Sequence, residues 1–160
     1  MAEEAGPEDL GRWQRRLASQ ANNRAWTLAE MPQRSVDEDA EMLHAAHAAM
    51  YFWTIVGTPG NHAHAALLLA HVYALLKRPE PAAQYLGESW PHFTQPDLAP
   101  WELAFAHAVA ANVAAVKGDA ATHARHYAEA KVFAERMIDA KTRDMFEATL
   151  RVVPAPTRST

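Results

Sequence analysis

The chain has 160 residues, a formal net charge of -4 and no cysteine. Disulfides, thiolate metal sites and cysteine nucleophiles are therefore excluded, and a length of this order suits one domain with a real hydrophobic core. The acidic balance, with Arg15-Arg16 the only basic cluster, argues against nucleic acid, whose binders rely on phosphate neutralisation.

Alanine makes up roughly a fifth of the chain, well above ordinary usage. It is the best helix former, and no stretch alternates as a strand does. The composition predicts an all-α protein.

Residues 1–8 read as a loose acidic leader without the apolar region of a secretory signal, so cytoplasm is the expected location. Asp9 is placed to cap a first helix carrying Leu10, Trp13, Leu17, Ala21 and Leu28, which Pro32 stops. Ser35 and Glu38 have the spacing of a capping box and open a second helix over 36–56. Its expected inward face is Ala40, Leu43, His47, Met50 or Tyr51, and Phe52 to Ile55. Gly57 is expected to close it as a C′ glycine.

A third helix is expected over 61–77 with Ala66, Leu69, Ala70, Tyr73 and Leu76 as its stripe. The apolar stretch 63–76 that it contains, interrupted by His64 and His71, is too short and polar to span a membrane. Pro79 and Pro81 open a short fourth helix ending near Ser89. The segment from Trp90 to Pro96 then reads as a proline-rich connector. Pro100 suits the first position of a fifth helix running to Lys117, with Trp101, Phe105, Ala108, Ala111 or Asn112, and Ala115 inward. Gly118-Asp119 closes that helix and caps a sixth over 120–140, which is expected to bury Tyr127, Ala130, Phe133, Ala134, Met137 and Ile138. A last helix over 141–151 offers Met145, Phe146 and Leu150, and the chain after Pro154 reads as frayed. The ordered core is expected over about 9–153 of a single domain, residues 1–160.

Leu69, Ala70, Tyr73, Ala82 and Leu86 align with Ala110, Ala111, Ala114, His123 and Tyr127 at one constant offset. Each stretch is a helix, a turn and a second helix. Ala70, Tyr73, Ala82, Gly118, Tyr127 and Ala130 are placed so that the region resembles the tetratricopeptide repeat (TPR). His123 and Ala114 depart from that pattern. So does the spacing, longer than the usual period of about 34 residues; the proline-rich connector accounts for the excess. The resemblance implies a right-handed stack of antiparallel helix hairpins, about six to seven helices in all. The chain also resembles a family of uncharacterised bacterial proteins, through Ala46-His47, Tyr51-Phe52-Trp53, Val56-Gly57-Thr58-Pro59, Asn61, the run His71 to Leu76, Arg78-Pro79-Glu80, Leu103 to Ala106 and Ala115 to Asp119. That resemblance implies the helical-repeat fold and no particular activity.

Nine histidines invite a search for chemistry. Glu41, His44 and His47 share one helix face and could meet His71 from the next helix. Imidazole and carboxylate together suit zinc, nickel or iron. Against this, only one Glu-x-x-His is present and there is no His-Glu-x-x-His, so buried or solvent-facing histidines compete as the explanation. A pH sensor is chemically open to histidine, but the sequence shows no pair of states to switch. Tyr51, Trp53 and Tyr73 could line a ligand or partner groove, with Asn61 and Asn112 holding a peptide backbone; core packing and helix capping are the competing roles. No Gly-rich phosphate loop, nucleophile elbow or kinase signature occurs, and no cofactor is expected.

The leading expectation is a protein-interaction or scaffold module binding a protein or peptide, including a second copy of the chain as a homodimer. The alternative is a small-molecule or metal-binding protein, enzymes included, using the histidine and aromatic residues between helices two and three.

Overall fold

A computed structural model describes residues 6–157. Among these there are seven helices and no strand: α1 (Pro7–Ala29), α2 (Val36–Val56), α3 (Pro59–Leu75), α4 (Pro79–Phe93), α5 (Pro100–Lys117), α6 (Ala120–Glu135) and α7 (Ala140–Arg151). Among the described residues no helix is long and apolar enough to cross a membrane. Most of the expected leader, residues 1–5, and the last three residues of the expected tail lie outside the described residues.

Local signals explain most boundaries. Ser35 accepts from the Glu38 N–H while the Glu38 carboxylate accepts from the Ser35 N–H, a complete capping box. Thr58 and Asn61 make a second one, which starts α3 two residues earlier than expected, with Pro59 in the first turn. Asp119 and Asp139 cap α6 and α7 through the Thr122 and Thr142 N–H groups.

Several expectations are corrected. Asp9 lies inside the first turn of α1, where its charge suits the helix dipole, and Gly6 is the N-cap residue. Gly57 ends α2 in extended backbone, φ -87° and ψ 173°, rather than left-handed. Its need for glycine is steric, because a Cβ there would sit 2.5 Å from the Trp53 carbonyl oxygen. Helix α4 continues past Ser89 to Phe93 with Pro91 inside it. Pro91 has no N–H for the Gly87 carbonyl, so α4 gives up that bond, and the buried Phe93 anchors its last turn against the core. Helix α6 stops at Glu135, which leaves Ile138 fully exposed in the joint before α7. The expected face of α2 is rotated: Met42, Ala46 and Ala49 are buried, whereas Ala40, Tyr51 and Ile55 are exposed.

The helices pack as hairpins. Arg24 late in α1 grips Glu41 early in α2, and Arg15 early in α1 reaches the Val56 carbonyl at the end of α2, so the two run antiparallel. Helix α3 pairs likewise with α4, and α5 with α6. Odd-numbered helices also touch one another in sequence: α1 meets α3, α3 meets α5, and α5 meets α7. Three hydrophobic clusters fill the seams. One joins α1, α2 and α3 around Leu28, Met42 and Leu68; one joins α3, α4 and α5 around Leu67, Phe93 and Val109; one joins α5, α6 and α7 around Phe146. Alanine dominates the seams, and its small side chain lets helix backbones approach closely. Helices α3 and α5 have neighbours on several sides and are apolar around most of their circumference.

The internal offset is structural. Helix α5 begins 41 residues after α3, and α6 begins 41 after α4. His71 of α3 contacts Asn112 of α5, its counterpart at that offset, and Phe105 of α5 meets its own counterpart Phe146 of α7 edge to face at 5.7 Å. The turns after α3 and α5 also match. Lys77 (φ 58°) and Gly118 (φ 77°) are both left-handed, and the next residue in each closes back on the carbonyl five positions earlier, Arg78 on Tyr73 and Asp119 on Ala114.

Candidate functional site

Helices α1, α3, α5 and α7 together line a cleft of about 660 Å³. Trp26, Leu67, Trp101, Phe105 and Met145 give it apolar walls; Asn22, Asn23, Thr27 and Thr142 add amides and hydroxyls; Glu30 and Lys141 add one charge of each sign. The aromatic walls are braced against each other, Trp26 edge-on to Phe105 at 5.9 Å and Trp101 edge-on to Phe105 at 6.4 Å. Burial raises the Glu30 carboxyl above its ordinary pKa, and the nearby Arg151 charge partly opposes this.

His64 stands at the edge of this cleft and belongs to a second arrangement. Its Nε2–H donates to Glu102 Oε1 at 3.1 Å, and His92 Nε2 lies 3.6 Å from the same oxygen. The three ligand atoms fall within 4.8 Å of one another, the one such grouping of histidine and carboxylate donors among the described residues. Three helices supply it: His64 from the second turn of α3, His92 from the last turn of α4 and Glu102 from the first turn of α5. Glu102 Oε2 accepts the Ala99 N–H at 3.2 Å, which fixes the carboxylate. His64 stacks on Trp101 at 5.5 Å and meets Phe93 edge to face at 5.2 Å. His92 Nε2 is shielded from solvent and makes no hydrogen bond. Burial holds the His64 pKa below its usual value even though Glu102 pulls it up. For Glu102, burial pushes upward, but the hydrogen bonds from His64 and Ala99 prevail and its pKa is lowered.

The residues expected to form a site are scattered. Glu41 is held by Arg24 through two charge-assisted bonds of 2.6 and 3.0 Å. His44 is exposed. His47 Nε2 pairs with the Tyr73 hydroxyl at 2.8 Å. His71 is fully buried, paired with Asn112 at 3.2 Å and stacked on Trp26 at 5.5 Å. Burial drives its pKa down to about 3, with the Arg34 charge adding to the effect. Among the groove candidates, Asn61 caps α3, Asn112 lies in the core with His71, Tyr73 stacks parallel on Tyr85, Tyr51 is exposed and packs edge-on to Phe52, and the Trp53 carbonyl accepts from His62. None of these five lines the cleft between the odd-numbered helices.

His64, His92 and Glu102 carry no local spacing signal, since each comes from a different helix. The offset offers a signal of another kind: His64 and His92 stand where the next hairpin has Phe105 and Phe133. A second histidine pair, His107 and His126 with Nδ1 atoms 2.8 Å apart, joins α5 to α6 beside Trp90. Burial lowers both, His126 to about 4, so at neutral pH one neutral ring donates to the other. No family model, no curated protein and no solved structure matches the chain.

Proposed function

We propose that this protein is a TPR-like interaction module that binds a short segment of a partner protein in the cleft of its odd-numbered helices. The observation that carries the reading is the composition of that cleft: four helices that touch in sequence present braced aromatic walls beside two adjacent asparagines. An aromatic or long aliphatic side chain of the segment enters between Trp26, Trp101 and Phe105. The Asn22 and Asn23 amides, each both donor and acceptor, match the alternating groups of a peptide backbone. The repeat of helix pairs at a fixed offset, with matching turns, supports the TPR-like stack, which arranges such pairs around a concave surface.

The test is selection of a displayed random-peptide library on the immobilised protein. Enriched peptides should carry a large apolar residue. Their affinity should fall about tenfold or more in Trp101→Ala and in Asn23→Ala. Failure to enrich any sequence, or peptides that bind these variants as tightly as the parent, would overturn the reading. Sedimentation of the free protein addresses a second copy as occupant: a dimer disrupted by Trp101→Ala would replace the peptide with the chain itself.

A further inference from the structure

The seam between α3–α4 and α5 is repeated, 41 residues on, as the seam between α5–α6 and α7. In the second seam the two positions are Phe105 and Phe133, partly buried against the core, and the third is Arg143, which turns away to the Met137 carbonyl. In the first seam the same positions are His64, His92 and Glu102, and all three converge. The fold therefore accepts hydrocarbon there, and the helix packing does not demand imidazole.

We propose that His64, His92 and Glu102 form a binding site for a divalent first-row transition ion, with zinc as its best-suited occupant. The geometry supports this in three ways. Donors about 2.0–2.1 Å from a tetrahedral ion lie about 3.3 Å from one another. The distances from Glu102 Oε1 to the two Nε2 atoms, 3.1 and 3.6 Å, bracket that value. Next, His92 Nε2 is a solvent-shielded nitrogen without a partner, whose cost is met by a ligand. Last, the Ala99 N–H holds Glu102 Oε2 and leaves Oε1 aimed at both rings, the kind of outer contact that orients metal ligands. When the ion binds, it replaces the His64–Glu102 hydrogen bond; the His64 proton then resides on Nδ1, and each Nε2 gives its lone pair to the ion. Three protein donors leave the fourth position for water. Nickel and iron accept the same donors, and cobalt serves as a visible probe.

The experiment titrates chelator-treated, dialysed full-length protein with Zn²⁺ by calorimetry and with Co²⁺ by visible absorption. One ion per chain is expected, with d–d absorption typical of four- or five-coordinate cobalt. Affinity should fall about 100-fold or more in His92→Phe, which installs the residue that the next hairpin already uses, and in Glu102→Gln, which keeps the Ala99 bond. His44→Ala should change it less than about twofold, as a control on an exposed histidine. Circular dichroism of each variant establishes that the helices persist. No saturable binding up to about 100 μM ion would sink the proposal. So would binding that survives in both ligand variants, or binding abolished by His44→Ala. Peptide binding in the cleft enters none of these readings, so either conclusion can fail while the other stands.

Discussion

Hairpins α3–α4 and α5–α6 share a start, a turn and a pattern of small buried residues, yet differ at the positions that could do chemistry. His64, His71, Lys77 and His92 in the first are replaced by Phe105, Asn112, Gly118 and Phe133 in the second. The shared residues build the scaffold. The differing ones show what the scaffold leaves free, and each difference can be tested by making one hairpin resemble the other.

The largest effect should come from the place where the two hairpins meet. His71 and Asn112 are buried counterparts that pair across α3 and α5 through His71 Nδ1, while the buried His71 Nε2 has no hydrogen-bond partner. Asn112→Leu leaves the imidazole without its only partner and should cost about 2–3 kcal/mol at pH 7. Adding His71→Leu to that variant should recover most of the loss, because two apolar groups leave nothing unsatisfied. Denaturant melts of the two single variants and the double variant measure this coupling. The same set sharpens with pH. The folded His71 pKa of about 3 lies below the ordinary value near 6.5. In acid the unfolded chain takes up a proton that the native chain refuses. The stability from this group is complete above about pH 6.5 and drains at up to about 1.4 kcal/mol per pH unit as pH falls toward 3. Between pH 6.5 and 5 the wild type should therefore lose about 1.6 kcal/mol more than the double variant. Equal losses would mean that His71 is not held neutral.

A smaller effect of opposite sign is expected at the seam. Converting His64, His92 and Glu102 to Phe, Phe and Gln makes the first seam resemble the second and keeps an acceptor for the Ala99 N–H. Replacing partly buried, incompletely bonded polar groups with hydrocarbon should raise metal-free stability by about 1 kcal/mol. A gain would show that the polar triad is kept at the expense of stability. A loss of similar size would show that these side chains are structural.

The scaffold was legible in the sequence wherever one local device decides the outcome. The Ser35–Glu38 box, Pro100 and the Gly118-Asp119 joint each act over a few residues, and the second and fifth helices fall where those signals put them. Two kinds of feature were not legible. Helix α2 packs against α1 and α3 at once, so its buried face is not a single stripe, and Met42 and Ala46 take places expected for Leu43 and His47. The segment from Trp90 to Pro96 reads as a connector from its prolines, yet α4 runs through Pro91 to Phe93, whose burial in the core is a tertiary effect that local spacing does not carry. The candidate metal ligands are neighbours only in space, one from each of three helices, so no spacing along the chain marks them. The groove candidates Asn61 and Asn112 are occupied by capping and by the core, which spacing alone does not separate from ligand binding.

The smallest effect separates the two turns. Lys77 and Gly118 have nearly the same left-handed backbone, and the same carbonyl closure follows each. A Cβ added at Gly118 meets nothing within 4 Å, so Gly118→Lys is opposed by conformation alone and should cost about 1 kcal/mol. Lys77→Gly should relieve the same strain, but glycine also loosens the unfolded chain, so its gain should be smaller, about 0.5 kcal/mol. The exchange of both residues should come close to the sum of its parts, since the turns are separate in sequence and have no shared side-chain partner. Denaturant midpoints at constant slope provide the comparison. If Lys77→Gly lowers stability, its side chain holds the first turn by a contact the second turn lacks, and the two hairpins are not equivalent where they reverse direction.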